Sequence, residues 1–301
     1  MDTSSPESFQ VLPEGCIAII LSFTTPRDAC RLSLVSKIFR SAAESDAVWD
    51  KFVPSDYQSI ISRSSSSLLA TSSKKDLYFS LCDNPIIIDD GKKSFQLDRW
   101  SGKKCFMLAA RDLYIVWGEN PIYWSWTSLP ESRFAEVAEL NDVCWLEIRG
   151  KINNSMLSSA TRYAAYLVFK MIDATGFDHH PAEASVGILG VSSTKSVCLD
   201  PDIEARAGEH DRIIPWQNFL ELEHPDIEAG EHYQIIPQQN FLELERPRER
   251  SDGWLEIELG EFFSLGQEDE EVNASGTEIN GGNWKSGLTV QGIEIRPKED
   301  N

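Results

Sequence analysis

The chain has 301 residues, 41% of them apolar and 10% aromatic, which suits globular structure and leaves room for two ordinary domains. Its formal net charge of −20 argues against general nucleic-acid binding, since neutralising phosphates needs clustered Lys and Arg. The excess is local: residues 201–271 hold 20 acids against 5 bases, a net of −15.

No apolar run approaches the roughly 18 residues needed to cross a bilayer, so no membrane span is expected. The opening MDTSSPESFQ lacks the basic start and apolar core of a secretory signal. The cysteines (Cys16, Cys30, Cys82, Cys105, Cys144, Cys198) are scattered without a CxxC pair, so reduced thiols in the cytosol or nucleus are expected.

In chain order, Leu12-Pro13-Glu14 opens a helical pattern with Ile17, Ile20 and Leu21 at helical spacing. A second helix starts at Thr24–Asp28. Thr25 can cap it, Pro26 at the first helical position loses no needed donor, and Asp28 favours the positive end of the dipole. Leu32, Val35 and Phe39 mark a third helical face, and Ala47-Val48-Trp49 closes the unit. Three short helices in about 40 residues make a marginal core. The unit is either a small self-contained cap or one whose exposed apolar positions a partner completes.

Residues 62–73, SRSSSSLLATSS, break the pattern and read as a linker. Lys74 to Asp83 is expected as one short helix with Leu77, Tyr78, Leu81 and Cys82 inward, stopped by Asn84-Pro85. Ile86–Ile88 then reads as a strand entering an Asp89-Asp90-Gly91 turn.

From Cys105 the pattern turns strand-like. Leu113, Ile115 and Trp117 share one face and Tyr114 and Val116 the other, ahead of a Gly118-Glu119-Asn120-Pro121 turn. Ile122–Trp126 follows at once, which places Trp117 and Trp124 near one sheet edge. Their rings either pack in the core or offer a flat face to a ligand such as a sugar ring. Further on, Cys144, Leu146 and Ile148 face away from Trp145, Glu147 and Arg149. Tyr163 to Ile172 is a nearly unbroken apolar run, as in a strand covered on both faces. The tetrapeptide Trp-Leu-Glu-Ile of 145–148 recurs at 254–257, and strand phase sets Trp145 and Trp254 opposite their Leu-Ile faces, against a second layer or an interdomain contact. Leu288 and Val290 share a phase that Ile293 and Ile295 leave, so Gly292 is expected as a β-bulge. Many strands and few helices after residue 105 indicate an antiparallel sandwich or jelly roll, and an α+β multidomain chain overall.

One internal repeat is plain. PDIEARAGEHDRIIPWQNFLELE (201–223) returns as PDIEAGEHYQIIPQQNFLELE (225–245), which reads as a tandem duplication within a loop. All five histidines lie at or beyond position 179, and no Gly-x-Ser-x-Gly elbow, P-loop or HExxH motif appears. Glu209, His210, Glu231 and His232 lack the set spacing of a metal site, so neither a catalytic nor a metal residue is assigned.

Two resemblances give these patterns a context. LPEGCIAIILSFTTPRDACRLSLVSKIFRSAAESDAVW, within residues 11–50, closely resembles an F-box. The resemblance implies docking on the Skp-type adaptor of a cullin ubiquitin ligase through a surface that includes Leu12, Pro13, Ile17, Ile20, Leu21, Leu34 and Val35. Burying an aliphatic side chain of this kind contributes about 1.5–3 kcal/mol.

The segments ARDLYIVWGENPIYWSW, VAELNDVCWLEIRGKI, YAAYLVFKMID, RSDGWLEIELGEFF and NWKSGLTVQGIEIRP resemble the phloem protein 2 family, the Nictaba-like plant lectins. That resemblance implies a β-sandwich that binds N-acetylglucosamine oligomers and N-glycan cores, with Trp117, Trp124 and an acidic late-loop residue, Glu271, at the sugar. An F-box joined to such a domain resembles the plant F-box proteins of the phloem protein 2-B type.

The implied organisation is an F-box at 11–50, a connection with the Ser-rich linker at 51–75, and an extension packing on the lectin domain at 76–104. A sandwich at 105–298 follows, interrupted by the acidic duplicated loop at 201–245. The implied role is a substrate-recognition adaptor that needs no cofactor and does no chemistry itself, with a glycan or glycoprotein client. The alternatives are a lectin acting without a ligase, or an adaptor whose sandwich reads a protein. An acidic segment stands where some of these lectins carry a basic nuclear-entry cluster, so a cytoplasmic location is expected and nuclear entry stays open.

Overall fold

The computed structural model describes residues 12–64, 72–178, 180–188, 191–201, 244–266, 270–279 and 282–298. Nearly all of the duplicated acidic loop, including His210, His224 and His232, lies outside the described residues, as do His179 and positions 65–71 of the Ser-rich stretch.

Six helices lead the described chain: α1 (Glu14–Ser22), α2 (Pro26–Leu32), α3 (Lys37–Ala43), α4 (Asp46–Phe52), α5 (Tyr57–Ile61) and α6 (Lys74–Asp83). The start of α2 follows from its residues: the Thr25 hydroxyl accepts from the Asp28 amide at 3.1 Å, with Pro26 in the first turn. The third helical face differs from expectation. Helix α2 stops at Leu32 and α3 begins only at Lys37, after the Ser36 hydroxyl has accepted from the Phe39 amide at 3.3 Å. A serine that offers its oxygen to the backbone restarts the helix, so Leu32, Val35 and Phe39 do not share one face.

Trp49 on α4 is the hub of the helical unit. It is fully buried, its indole N–H donates to the Ala43 carbonyl at 2.7 Å, and its ring lies 5.1 Å from Tyr78 and 5.2 Å from Phe79. Helix α6 thus buries Leu77, Tyr78 and Leu81, as its spacing predicts. The unit is also bonded to the sheets. The Tyr78 hydroxyl donates to the Asp98 and Arg99 carbonyls at 3.1 Å, and Lys104 meets Asp56 at 2.9 Å. One apolar core runs without a break from Ile17 through Tyr78 to Ile295.

The strands are β1 (Ile86–Ile88), β2 (Lys93–Leu97), β3 (Lys104–Ala109), β4 (Tyr114–Ile115), β5 (Trp124–Thr127), β6 (Val137–Leu140) and β7 (Leu146–Asn153). They continue as β8 (Thr161–Thr175), β9 (Ala182–Ile188), β10 (Val191–Val197), β11 (Arg248–Glu249), β12 (Leu255–Ser264), β13 (Glu271–Glu278) and β14 (Ser286–Pro297). The larger antiparallel sheet runs β1-β2-β3-β14-β8-β12-β11, with β6 also on β14 and β5 on β6; the smaller runs β10-β9-β13-β7-β4. Helices followed by a two-sheet antiparallel sandwich are the fold class that the sequence implies.

Strand β8 lies between β14 and β12, which explains its unbroken apolar run. Leu167 and Phe169 enter the core between the sheets, while Val168 joins Met107, Phe134, Val137 and Trp254 in a second small core on the outer side. The bulge falls where Gly292 predicts, between Val290 and Gly292 in the pairing with β8. Because of that extra residue, Leu288, Val290, Ile293 and Ile295 all reach the same core. A Cβ at Gly292 would stand 1.9 Å from the Leu108 carbonyl oxygen, so only glycine lets β3 and β14 approach there.

The stretch 113–117 departs from a plain strand. Pairing ends at Ile115, Ile115 and Val116 are both buried, and Trp117 takes a left-handed backbone (φ 54°). Its ring therefore does not share the face of Ile115, because the positive φ turns the chain before the next alternation. In β7 Leu146 and Ile148 are buried and Arg149 exposed, as expected, whereas Glu147 is buried; beyond them Gly150 and Ile152 are buried and Lys151 is exposed.

Candidate functional site

Two surfaces carry the candidate residues. On the first, α1 divides its apolar residues between two faces. Ile17, Ala18 and Leu21 are buried, whereas Cys16, Ile19, Ile20 and Phe23 are exposed at spacings i, i+3, i+4 and i+7. The turn between α2 and α3 adds Leu34 and Val35, and α3 adds Ile38. Phe23, at 84% exposure, and Leu34, at 76%, are large apolar groups left in water by helices whose other sides are packed.

Pro13, Ile20, Leu34 and Val35 thus stand on the surface, and Leu12 is half-buried. The expectation that Ile17 and Leu21 meet a partner is corrected: both are core residues of the helical unit, 1% and 0% exposed. Sequence reasoning missed Ile19, Phe23 and Ile38. The available signal was that α1 is apolar nearly all round, which one small core cannot absorb.

The second surface is the sandwich. After Ile115 the chain turns through Trp117 and Gly118, and this turn is held from beneath by two indoles. Trp124 Nε1 donates to the Val116 carbonyl at 3.0 Å, and Trp126 Nε1 donates to the Gly118 carbonyl at 2.9 Å. Arg111 lies over the Trp126 ring at 3.6 Å and fixes it from the other side. Trp117 itself is half-exposed and its ring meets Tyr123 at 5.1 Å.

The expectation that Trp124 offers its ring to a sugar is corrected, since only 1% of it is exposed and the indole is spent on the backbone of the turn. Its indole instead holds the Val116 carbonyl, one residue before Trp117. Glu271 is exposed as the first residue of β13, opposite Asn153 and 3.4 Å from Lys151. It does not meet Trp117. The Trp117 turn bonds to β7 at Glu147, through the Val116 amide at 3.0 Å, six residues from Asn153 and so about 20 Å along the strand. The three residues do not form one site.

Among the described residues no group of His, Cys, Asp and Glu could hold a metal ion, and no helix is long and apolar enough to cross a membrane. Cys82 and Cys198 thiols are pushed up by burial, to about 12 and about 11, so neither is a poised nucleophile.

Helices that leave an aliphatic stripe in water, joined to a two-sheet antiparallel sandwich, define the class: an F-box with a sandwich domain behind it. The F-box domain model matches residues 9–51, and the Phloem protein 2 model matches residues 103–297. The chain belongs to the phloem protein 2 family and carries an F-box ahead of that domain.

Among its relatives from Arabidopsis thaliana, F-box protein PP2-B10 is 45% identical over 98% of this chain and 95% of its own length. F-box protein PP2-B1 is 42% identical over 97% and 91%, and F-box protein VBF 43% identical over 96% and 99%.

Proposed function

We propose that the protein is a substrate-recognition adaptor of a Skp–cullin–F-box ubiquitin ligase and that its sandwich holds a glycan-bearing client. It performs no chemistry of its own in this reading. The observation that carries it is the stripe Ile19, Ile20, Phe23, Leu34, Val35 and Ile38, solvent-facing on a helical unit whose opposite side is packed and bonded to the sandwich. An F-box domain implies a Skp-type partner, and burying such side chains supplies about 1.5–3 kcal/mol each.

The test is direct binding of the full chain to a Skp-type adaptor. Leu34→Asp with Val35→Asp is expected to weaken binding at least about 30-fold, since about 2 kcal/mol is lost, while circular dichroism stays unchanged. Undiminished binding by the folded double variant would remove the ligase reading.

A second reading, in which the sandwich holds a protein surface rather than a glycan, is favoured by the burial of Trp124 and the distance between Trp117 and Glu271. A glycan array on the full chain separates the two. Binding to N-acetylglucosamine-containing glycans supports the first reading, and a folded, glycan-silent chain supports the second.

A further inference from the structure

The hairpin between β2 and β3 lands on the helical unit. Its loop, residues 98–103, is ordered by the Asp98 carboxylate, which accepts from the Ser101 amide at 2.7 Å and the Trp100 amide at 3.2 Å. Gly102 turns the loop with a left-handed backbone (φ 71°) against α2 and α4. A Cβ there would stand 3.1 Å from the Phe52 carbonyl oxygen and 3.4 Å from the Pro26 ring. The Tyr78 hydroxyl holds the loop from beneath, donating to the Asp98 and Arg99 carbonyls. A loop pinned this way presents Trp100 in a fixed place.

Trp100 is 49% exposed, yet it is not loose. Its carbonyl accepts from the Arg27 amide at 3.4 Å, and the Arg27 guanidinium lies 5.5 Å from its ring centre. The ring thus meets the start of α2 without being covered by it. From there the exposed side of α2 leads to the aliphatic stripe. Arg27, Arg31 and Leu34 follow at i, i+4 and i+7 and are all exposed, while Pro26 and Ala29 are buried. The turns after Leu32 keep this line, since the Leu34 amide donates to the Arg31 carbonyl at 3.1 Å and the Val35 amide to the Leu32 carbonyl at 3.0 Å. Arg27 and Leu34 are therefore separated by about 11 Å of rise. One continuous surface joins the Leu34–Val35 turn, two arginines and a half-exposed indole.

Charge narrows what can cover it. The chain as a whole carries −20, but this line holds two arginines against Asp28, which lies 3.9 Å from Arg31. A partner that fits sets apolar groups on Leu34 and Val35, a carboxylate beside Arg31 and a flat contact on Trp100. The same two arginines disfavour a basic partner. Tryptophan and arginine are also the residue types that most often dominate the energy of an interface. Trp100 falls in the gap between the F-box match at 9–51 and the Phloem protein 2 match at 103–297, so neither family pattern gives it a role.

We infer that the ligase adaptor docks across the boundary between the two domains, covering Trp100 of the sandwich hairpin as well as the aliphatic stripe, with an acidic side chain of the adaptor against Arg31. The inference rests on the ligase reading and extends its surface beyond the helical unit. It also sets the sandwich, and any client it holds, at one angle to the ligase.

The experiment is isothermal titration of the full chain with a purified Skp-type adaptor. Wild type is set beside Trp100→Ala, Arg31→Glu and the double variant Leu34→Asp with Val35→Asp, with the thermal midpoint of each recorded. Arg31→Glu probes the connecting face without disturbing packing, because its side chain is 64% exposed. We expect Trp100→Ala and Arg31→Glu each to weaken binding at least about tenfold at an unchanged midpoint, and the double variant to weaken it further. The Arg31→Glu effect is expected to shrink as salt is raised. Wild-type affinity in Trp100→Ala and Arg31→Glu, with loss in the double variant, overturns the inference and leaves the ligase reading standing. Weakening by Trp100→Ala alone, in step with a lowered midpoint, also overturns it, since the indole then only clamps the hairpin to α2. Wild-type affinity in all three variants overturns the inference and the ligase reading together.

Discussion

The two outer faces of the sandwich contrast sharply. The outer face of the larger sheet is closed. Residues 128–136 lie over it, placing Leu129 and Phe134 against Trp254, while Lys170 binds Glu131 at 2.5 Å and sits 4.9 Å from the Trp254 ring. Beside that patch, Glu294 is buried among Arg133, Arg250 and Arg296, with Glu256 sharing the last two. The outer face of the smaller sheet carries no such layer among the described residues: Arg149, Lys151, Asn273 and Thr194 all stand in solvent. A sheet face that the fold has already covered contributes stability. One left open, with its polar groups in ordered rows, is free to contribute binding.

That contrast can be broken most directly at Trp254. Trp254→Ala removes a fully buried indole, and its hydrogen bond to the Glu131 carbonyl, from the closed face. It is expected to cost about 3–5 kcal/mol in urea unfolding. A loss below about 1 kcal/mol would mean that the loop layer and the sheet do not unfold together.

Glu294→Gln comes next, because it leaves the surrounding guanidinium groups short of their central carboxylate. A loss of about 3 kcal/mol is expected. The same residue sets an acid limb. Burial alone raises this carboxyl, but Arg250, Arg296 and Arg133 outweigh it and hold it down at about 2. A carboxylate whose folded pKa lies below its unfolded value of 4.5 contributes stability above that value. The contribution fades as the pH falls from about 4.5 towards 2. Glu294→Gln should therefore flatten the stability profile across that window, and an unchanged slope would show that other carboxylates set it.

The smallest effect belongs to the open face. Lys151→Met breaks an ion pair whose two side chains are 62% and 59% exposed. Stability should stay within about 0.5 kcal/mol, as solvent screens such pairs. A larger loss would place this face among the structural ones.

Much of the architecture was legible because its causes are local. Thr25, Pro26 and Asp28 announce the start of α2, the spacing of Leu77, Tyr78 and Leu81 sets the inner face of α6, and the phase break around Gly292 marks the bulge. The candidate sites were less so. Ile17 and Leu21 share a helix with Ile19 and Ile20, and periodicity cannot say which stripe of a helix apolar nearly all round turns inward. Trp124 reads as a platform until the turn beneath Trp117 claims its N–H.

The same tetrapeptide marks the boundary between the two kinds of knowledge. Trp-Leu-Glu-Ile at 145–148 and at 254–257 determines by itself a tryptophan leading into a strand, with its ring opposite the inward residues. Only the tertiary structure decided that Trp254 is sealed and Trp145 is 44% exposed. The reason is the covering layer: residues 128–136 cross the larger sheet and supply Glu131, Phe134 and Arg133, one member of the ion network, and no equivalent segment among the described residues crosses the smaller one.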